Sequence, residues 1–296
     1  MSGGGAHVPG TDGWARALTA WPERVVVRDG VRLVCRDSGG PGPAVLLLHG
    51  LAGHSGEWEA LARLLGPGRR IVALDQRGHG ASERRPGDVS RAAYVADVVA
   101  VIAELGLERP VVVGQSMGGH TALLTAAAHP EHVGALVLVE AAAGRTDPAT
   151  PREIGEWLDT WPKPFPSYED AVRFHGGGAL GEGWAAGLEE RNGGWWPRFD
   201  RDVMVASITE LTRRAVWEEW EAVRCPALLV LGQSGILPPA AADAMRGRRP
   251  RTRAVCVPGA GHDVHLERPE ALYAVIAAFL DADGSEGSHS SEGSDG

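Results

Sequence analysis

Lysine is almost absent from this chain: Lys163 is the only one in 296 residues, and arginine carries the positive charge. With a net charge of −9 there is no basic surplus. Nucleic acid and anionic membrane surfaces are therefore not expected as partners. Cysteine is scarce as well. Cys35, Cys225 and Cys256 are odd in number and lie in or beside strand-like runs, so they read as buried free thiols in a reducing cytoplasm. None sits on a turn beside a base, which argues against a catalytic cysteine. No run approaches the roughly 20 apolar residues of a membrane span. The stretch 1–14 is Gly-rich and polar and lacks the basic and apolar regions of a signal peptide. No Cys/His cluster and no phosphate-cradling glycine loop is present, so no metal and no cofactor is expected. What remains, 44% hydrophobic and 23% charged, is the composition of a globular protein. Nothing in it sets the oligomeric state.

Apolar runs alternate with helical stretches along most of the chain. Residues 24–28 and 31–36 are β-rich and joined by Asp29-Gly30, a hairpin signal. Strands are predicted at 44–48, 70–74, 111–113, 135–139, 226–231 and 253–257, and helices at about 90–105, 117–129 and 269–280. Between 144 and 223 strand-like runs vanish, and seven of the ten tryptophans fall there. The expected organisation is an arm at 1–20, a core built from 21–143 and 224–282, a Trp-rich helical cap at 144–223, and a disordered acidic Gly/Ser tail at 283–296. Strands alternating with helices imply an α/β fold, a mostly parallel, doubly wound sheet whose ligands sit at the carboxyl ends of the strands.

The most informative segment is Val111–Gly119. A β-branched strand runs into Gly114-Gln115-Ser116-Met117-Gly118-Gly119 and then an alanine-rich helix. A Gly-x-Ser-x-Gly turn between strand and helix holds the serine in strained geometry with its hydroxyl exposed. Such a serine needs a base and a group that orients the base. His262, after Pro258-Gly259-Ala260-Gly261 beyond the last strand, is the candidate base; His265 is its nearest rival.

His49-Gly50, the loop Asp75–Ser82, the serine turn and Gly261-His262, in that order, resemble the α/β-hydrolase superfamily, in particular its epoxide-hydrolase-like and esterase branch. The resemblance covers about residues 24–281 and implies Ser116 as nucleophile, His262 as general base, and an oxyanion hole from the N–H groups of Leu51 and Met117 beside Gly50. A serine, rather than the aspartate of relatives that open epoxides, implies acyl transfer. Asp75, Arg77 and His79 read as structural, His49 as a buttress of its loop, and Gln115 as without chemical consequence.

The chain departs from the family at the acid. Where the family carries Gly-x-x-Asp, this sequence has Gly232-Gln233-Ser234-Gly235, and glycine cannot orient an imidazole. Glu140 is the substitute. It ends the strand after the nucleophile helix, one strand nearer Ser116, and glutamate has the extra methylene needed to reach sideways. The competing role for Glu140 is a hydrogen bond to the start of the cap. A glutamate acid on this earlier strand is similar to the zearalenone-lactone hydrolases, which open a hydrophobic macrolactone.

Tryptophan offers large apolar area with one N–H donor. Trp195 and Trp196 are consecutive and cannot both face one core, so they, with Trp184, Trp157 and Leu51, are the candidate substrate contacts, while Trp217 and Trp220 read as cap core. A hydrophobic small molecule is the expected partner, and a serine hydrolase of a bulky ester or lactone the expected activity. A thioesterase, a carbon–carbon bond hydrolase or a cofactor-free perhydrolase would use the same groups. A non-catalytic ligand-binding homologue is the alternative from another class.

Overall fold

The computed structural model describes residues 21–287, with side chains to residue 282. The arm at 1–20 and residues 288–296 lie outside the described residues. The chain opens with an antiparallel hairpin, β1 (Glu23–Arg28) and β2 (Val31–Asp37). Its turn residues Asp29 and Gly30 have φ of 49° and 77°, the two positive angles that let a tight turn match the twist of the strands. Then come β3 (Ala44–Leu48), α1 (Glu59–Leu65), β4 (Arg70–Asp75), α2 (Arg91–Glu104), β5 (Val111–Gln115), α3 (Met117–Ala128) and β6 (Ala135–Val139). The chain next leaves the sheet for α4 (Thr150–Asp159), α5 (Tyr168–Phe174), α6 (Gly178–Ala185), the small hairpin β7 (Glu189–Arg191) and β8 (Gly194–Trp196), α7 (Arg201–Thr212) and α8 (Trp217–Ala222). It returns through β9 (Ala227–Gly232), α9 (Pro239–Arg248), β10 (Arg253–Val257), α10 (Val264–Glu267) and α11 (Pro269–Gly287). The last helix thus continues to Gly287, into the stretch that composition assigns to the tail.

The eight-stranded sheet has the order β1-β2-β4-β3-β5-β6-β9-β10. The β1–β2 and β2–β4 pairs are antiparallel, and all the others are parallel. Strands β3, β6 and β9 are buried at every residue, which is why they read as unbroken apolar runs rather than alternating ones. Successive side chains serve opposite faces. Leu46, Leu48, Val112 and Leu138 meet α2, α3, α8 and α9 on one side; Val45, Leu47, Val113 and Val139 meet α1 and α11 on the other. Strand β10 is an edge, and Cys256 on it is exposed, whereas Cys35 and Cys225 are buried. The expectation of three buried thiols is corrected there: an edge strand has one neighbour and is half open.

Trp217 and Trp220 also differ from expectation. Trp220 is fully buried in the cluster under the sheet and donates from Nε1 to the Met245 carbonyl at 2.9 Å, and Trp217 lies under the Arg248 guanidinium. They belong to the core of the sheet, not to that of the inserted segment, because α8 has already returned to α3. The inserted segment has its own cluster around Trp161, Phe165, Leu188 and Met204, which also takes in Ala52 from the core. Tyr94 and Ser207, hydroxyl to hydroxyl at 2.9 Å, and Arg85 with Asp200 at 2.7 Å tie it to the core. Among the described residues no helix is long and apolar enough to cross a membrane.

Candidate active site

Strand β5 ends at Gln115, and Ser116 takes φ 50° and ψ −117° before α3 begins. A non-glycine residue held at such angles costs on the order of 1–3 kcal/mol and persists only where its surroundings enforce it. Here they do. The Ser116 N–H donates to the Val139 carbonyl at 2.9 Å, and the His120 N–H returns to the Ser116 carbonyl at 3.1 Å. A Cβ at Gly118 would lie 2.3 Å from the Leu48 carbonyl oxygen, so only glycine lets α3 start this close to β3. Ser116 itself is partly exposed, at the carboxyl end of the parallel strands.

The loop after β3 passes beside it: a Cβ built on Gly50 would be 3.5 Å from Ser116 Cβ. His49 pins the start of this loop. Its Nδ1–H donates to the Gly50 carbonyl at 2.7 Å, and Nε2 accepts from the Gln76 N–H at 3.0 Å. Burial pulls its pKa down to about 3, so the ring stays neutral and keeps that tautomer. The N–H groups of Leu51 and Met117 donate to no protein acceptor among the described residues. Met117 follows the serine directly, and Leu51 follows Gly50 in the loop that passes beside it.

Glu140 follows β6 with φ 50°, and its side chain is fully buried. Oε1 accepts from the Gly232 N–H at 2.8 Å; Oε2 accepts from the Ile236 N–H at 2.7 Å and the Leu237 N–H at 3.3 Å. His262 Nδ1 lies 3.4 Å from Oε2. A Cβ built on Gly235 would be 2.3 Å from Glu140 Cδ. The carboxylate of Glu140 thus occupies the space into which a side chain at position 235 would grow. His262 is held by its neighbours: its carbonyl accepts from Gln115 Nε2 at 3.2 Å, and the Gly261 N–H donates to Glu267 Oε2 at 2.9 Å. No hydrogen bond joins His262 to Ser116, a contact that commonly tightens when substrate docks.

Gln115, read from the sequence as without chemical consequence, braces the loop that carries His262. Its amide bridges the serine strand to the His262 carbonyl and, at 3.4 Å, to Asp263 Oδ1. Its position immediately before the nucleophile was the available signal. Asp75 is structural as expected, accepting from the N–H groups of Ser55 at 2.6 Å and Ala81 at 2.8 Å.

The tryptophans divide. Trp184 donates from Nε1 to Asp263 Oδ2 at 3.1 Å, next to His262, and stands edge-on to Trp157 at 5.9 Å. Trp195 and Trp196 are spent inside the inserted segment. Trp195 packs on Tyr168, 5.1 Å between ring centres; Trp196 donates to the Arg191 carbonyl and lies under that guanidinium. They are neighbours in β8 and so face opposite sides of it. The expectation that one of this pair turns to the cleft is corrected accordingly. The three ligand-type residues that come together among the described residues, His129, Glu131 and His132, stand at the other end of α3 from Ser116.

His265 is excluded as a rival base by its surroundings. It is fully buried, lies against Trp58, and is 3.3 Å from Glu57 Oε2. Burial pushes the Glu57 carboxyl up to about 8 and pulls His265 down to about 4, so both are neutral near pH 7. Between the unfolded carboxyl value of about 4.3 and 8, the native chain keeps a proton on Glu57 that the unfolded chain has released. Stability therefore falls as pH rises through that range. His265 acts in the opposite sense between 4 and about 6.5, where the unfolded chain binds the extra proton. Of the two, Glu57 alone still acts above about pH 7, while the other buried histidines respond alike in wild type and variant. The thermal midpoint of the wild type is expected to fall relative to that of Glu57→Gln as pH rises from 6.5 to 8. Parallel curves for the two proteins over that range would show that Glu57 is not held protonated.

Comparison with known proteins agrees with this architecture. Residues 43–186 match the family model described as alpha/beta hydrolase fold. The chain is 29% identical over 256 residues to the sn-1-specific diacylglycerol lipase ABHD11 of Mus musculus, covering 80% of this chain and 81% of the relative. It is 29% identical over 258 residues to the 2-(acetamidomethylene)succinate hydrolase of Mesorhizobium japonicum, covering 82% of this chain and 90% of that one. The crystal structure of an E-2-(acetamidomethylene)succinate hydrolase superimposes with a TM-score of 0.81 at 26% identity, over 88% of this chain and 99% of the other. Strand order, serine turn and these similarities give the chain the α/β-hydrolase fold and make it similar to hydrolases built on that fold.

Proposed function

We propose that this protein cleaves carboxylic esters or lactones through an acyl-enzyme on Ser116, with His262 as base and Glu140 as the acid that orients it. The observation that carries the reading is the Glu140 carboxylate, buried where the family's acid would project from position 235 and 3.4 Å from His262 Nδ1. In the reaction Ser116 Oγ attacks the carbonyl carbon while His262 takes the hydroxyl proton. The tetrahedral oxyanion accepts hydrogen bonds from the Leu51 and Met117 N–H groups, each typically worth 10²–10³ in rate. His262 then protonates the departing alcohol oxygen, and water, deprotonated by the same ring, releases the acid. Glu140 holds the Nδ1–H and stabilises the imidazolium that forms at both steps. Leu51, Val89 and Ile154, partly buried where the inserted segment meets the core, offer apolar walls to the acyl or alcohol part, as does Trp157, 37% exposed. That relatives bear the names of a diacylglycerol lipase and a 2-(acetamidomethylene)succinate hydrolase supports acyl-bond hydrolysis and leaves the leaving group to be set by assay.

A fluorophosphonate probe is expected to label the wild type at Ser116 and to leave Ser116→Ala unlabelled, with turnover of a p-nitrophenyl ester lost in parallel. A folded wild-type sample that neither reacts nor turns over would overturn the reading. A panel of lactones and open-chain esters then fixes the bond type.

A further inference from the structure

Among the described residues Arg91 is a buried cation without an ion-pair partner. Arg91, the first residue of α2, is 8% exposed, and its Nε and Nη1 have no hydrogen-bond partner. Nη2 donates to Thr121 Oγ1, and the guanidinium lies 4.1 Å from the centre of the Tyr94 ring. The acid that acts on it from a distance, Glu210, is already paired with Arg213 at 2.7 Å. Beside it His120, 6% exposed, has an unpartnered Nδ1. Burial, reinforced by the arginine's charge, keeps that ring neutral, with a pKa near 3. Arg91 and His120 thus each keep hydrogen-bonding atoms without a protein partner, and each such buried atom carries its desolvation penalty.

Their location is informative. Thr121 donates to the Met117 carbonyl at 3.1 Å and lies five residues beyond Ser116 on the same helix, about 7.5 Å along its axis. Met117 and Tyr94 close over this place together with Ile208 and Leu211 from α7, and Leu51 packs on the same four residues. The guanidinium therefore sits one layer behind Met117 and Leu51, and α7 must yield for a ligand to reach it. A planar fork with free N–H donors is complementary to a carboxylate, which it takes in two parallel hydrogen bonds.

We propose that Arg91, with His120 beside it, is a carboxylate-recognition site that selects acyl substrates bearing a second acid group. The inference rests on Ser116 being the nucleophile, and it sharpens the substrate class: apolar in the middle and anionic at the far end.

Matched p-nitrophenyl esters test it, the half-esters of succinic and glutaric acid against the neutral butyrate and valerate. The wild type is expected to favour the half-esters at least 10-fold in kcat/KM, mainly through KM. Arg91→Met should lower that preference about 100-fold and Arg91→Lys by less, since lysine keeps the charge and loses the fork. Arg91→Met is also expected to melt no lower than the wild type, as removal of an unpaired buried charge relieves strain in the fold; Arg91→Lys serves if it does not fold. A preference near one in the wild type, or the same preference in the variants, overturns the proposal. A second readout needs no turnover. Free glutarate should raise the melting temperature of Ser116→Ala and not that of Ser116→Ala combined with Arg91→Met. A shift of that kind without ester hydrolysis would sustain the carboxylate site while removing the esterase reading. No shift, or an equal shift from chloride, removes the carboxylate site.

Discussion

Glu140→Gln is expected to lower kcat/KM for an activated ester by about 10⁴, the cost of losing the acid that fixes the tautomer of a catalytic histidine. The substitution is nearly isosteric, so the backbone of β6 and its φ of 50° are undisturbed. What changes is chemistry. The carboxylate accepts three backbone N–H bonds from Gly232, Ile236 and Leu237 and faces His262 Nδ1. An amide has one acceptor oxygen and an NH₂ that must point either at another N–H donor or at the imidazole. If it points at the imidazole, His262 is driven to the tautomer with its proton on Nε2, and it can no longer take the proton of Ser116. Retention of near-normal turnover, measured beside the thermal midpoint, would reduce Glu140 to a brace for the loop after β9. Fluorophosphonate labelling separates the two roles further: a brace alters the melting temperature first, an orienting acid alters the labelling rate in a protein that still melts as a folded one.

The framework of this site was legible because buried parallel strands leave a plain signature. Runs such as Ala44–Leu48 and Ala135–Val139 have no polar face to alternate with, and the special turns at their carboxyl ends stand out against them. The substitution of the acid was legible as well, since Gly235 and Glu140 can be compared on paper. That the carboxylate lies in the very space above Gly235 is a distance between β6 and the loop after β9, and no one-dimensional pattern carries it. The inserted segment was harder. Glu189–Arg191 has no apolar residue, so β7 gave no strand signal. Yet Asn192-Gly193, at φ of 51° and 74°, is the turn pair that most strongly marks a hairpin, and reading it would have placed Trp195 and Trp196 on opposite faces. Arg91 was invisible for another reason. In a chain whose cations are nearly all arginine, no single one stands out until burial shows which lacks a partner.

The acid can be moved. Gly235 does not occupy the left-handed region, and the three atoms nearest to a Cβ there are those of the Glu140 carboxylate, at 2.3–2.4 Å. The backbone thus permits a side chain at 235 once Glu140 is cut back. Glu140→Ala should lose about 10⁴ in kcat/KM, as for any missing orienting acid. Gly235→Asp alone should also lose activity, by about 10² or more, because two carboxyl groups cannot share one buried site and the aspartate displaces the group already bonded to Gly232 and Ile236. Combined, the two changes relieve each other. The double variant, with its acid on the loop after β9 as in the wider family, is expected to recover at least 10² over Glu140→Ala where independent changes would lose a further 10², a coupling of about 5.4 kcal/mol. Neighbours that act on one another give such non-additivity, and independent sites do not. A double variant as inactive as the sum of its parts would mean that His262 is oriented by something other than a carboxylate in that space. Recovery would show that the imidazole responds to where the negative charge sits and is indifferent to which strand delivers it.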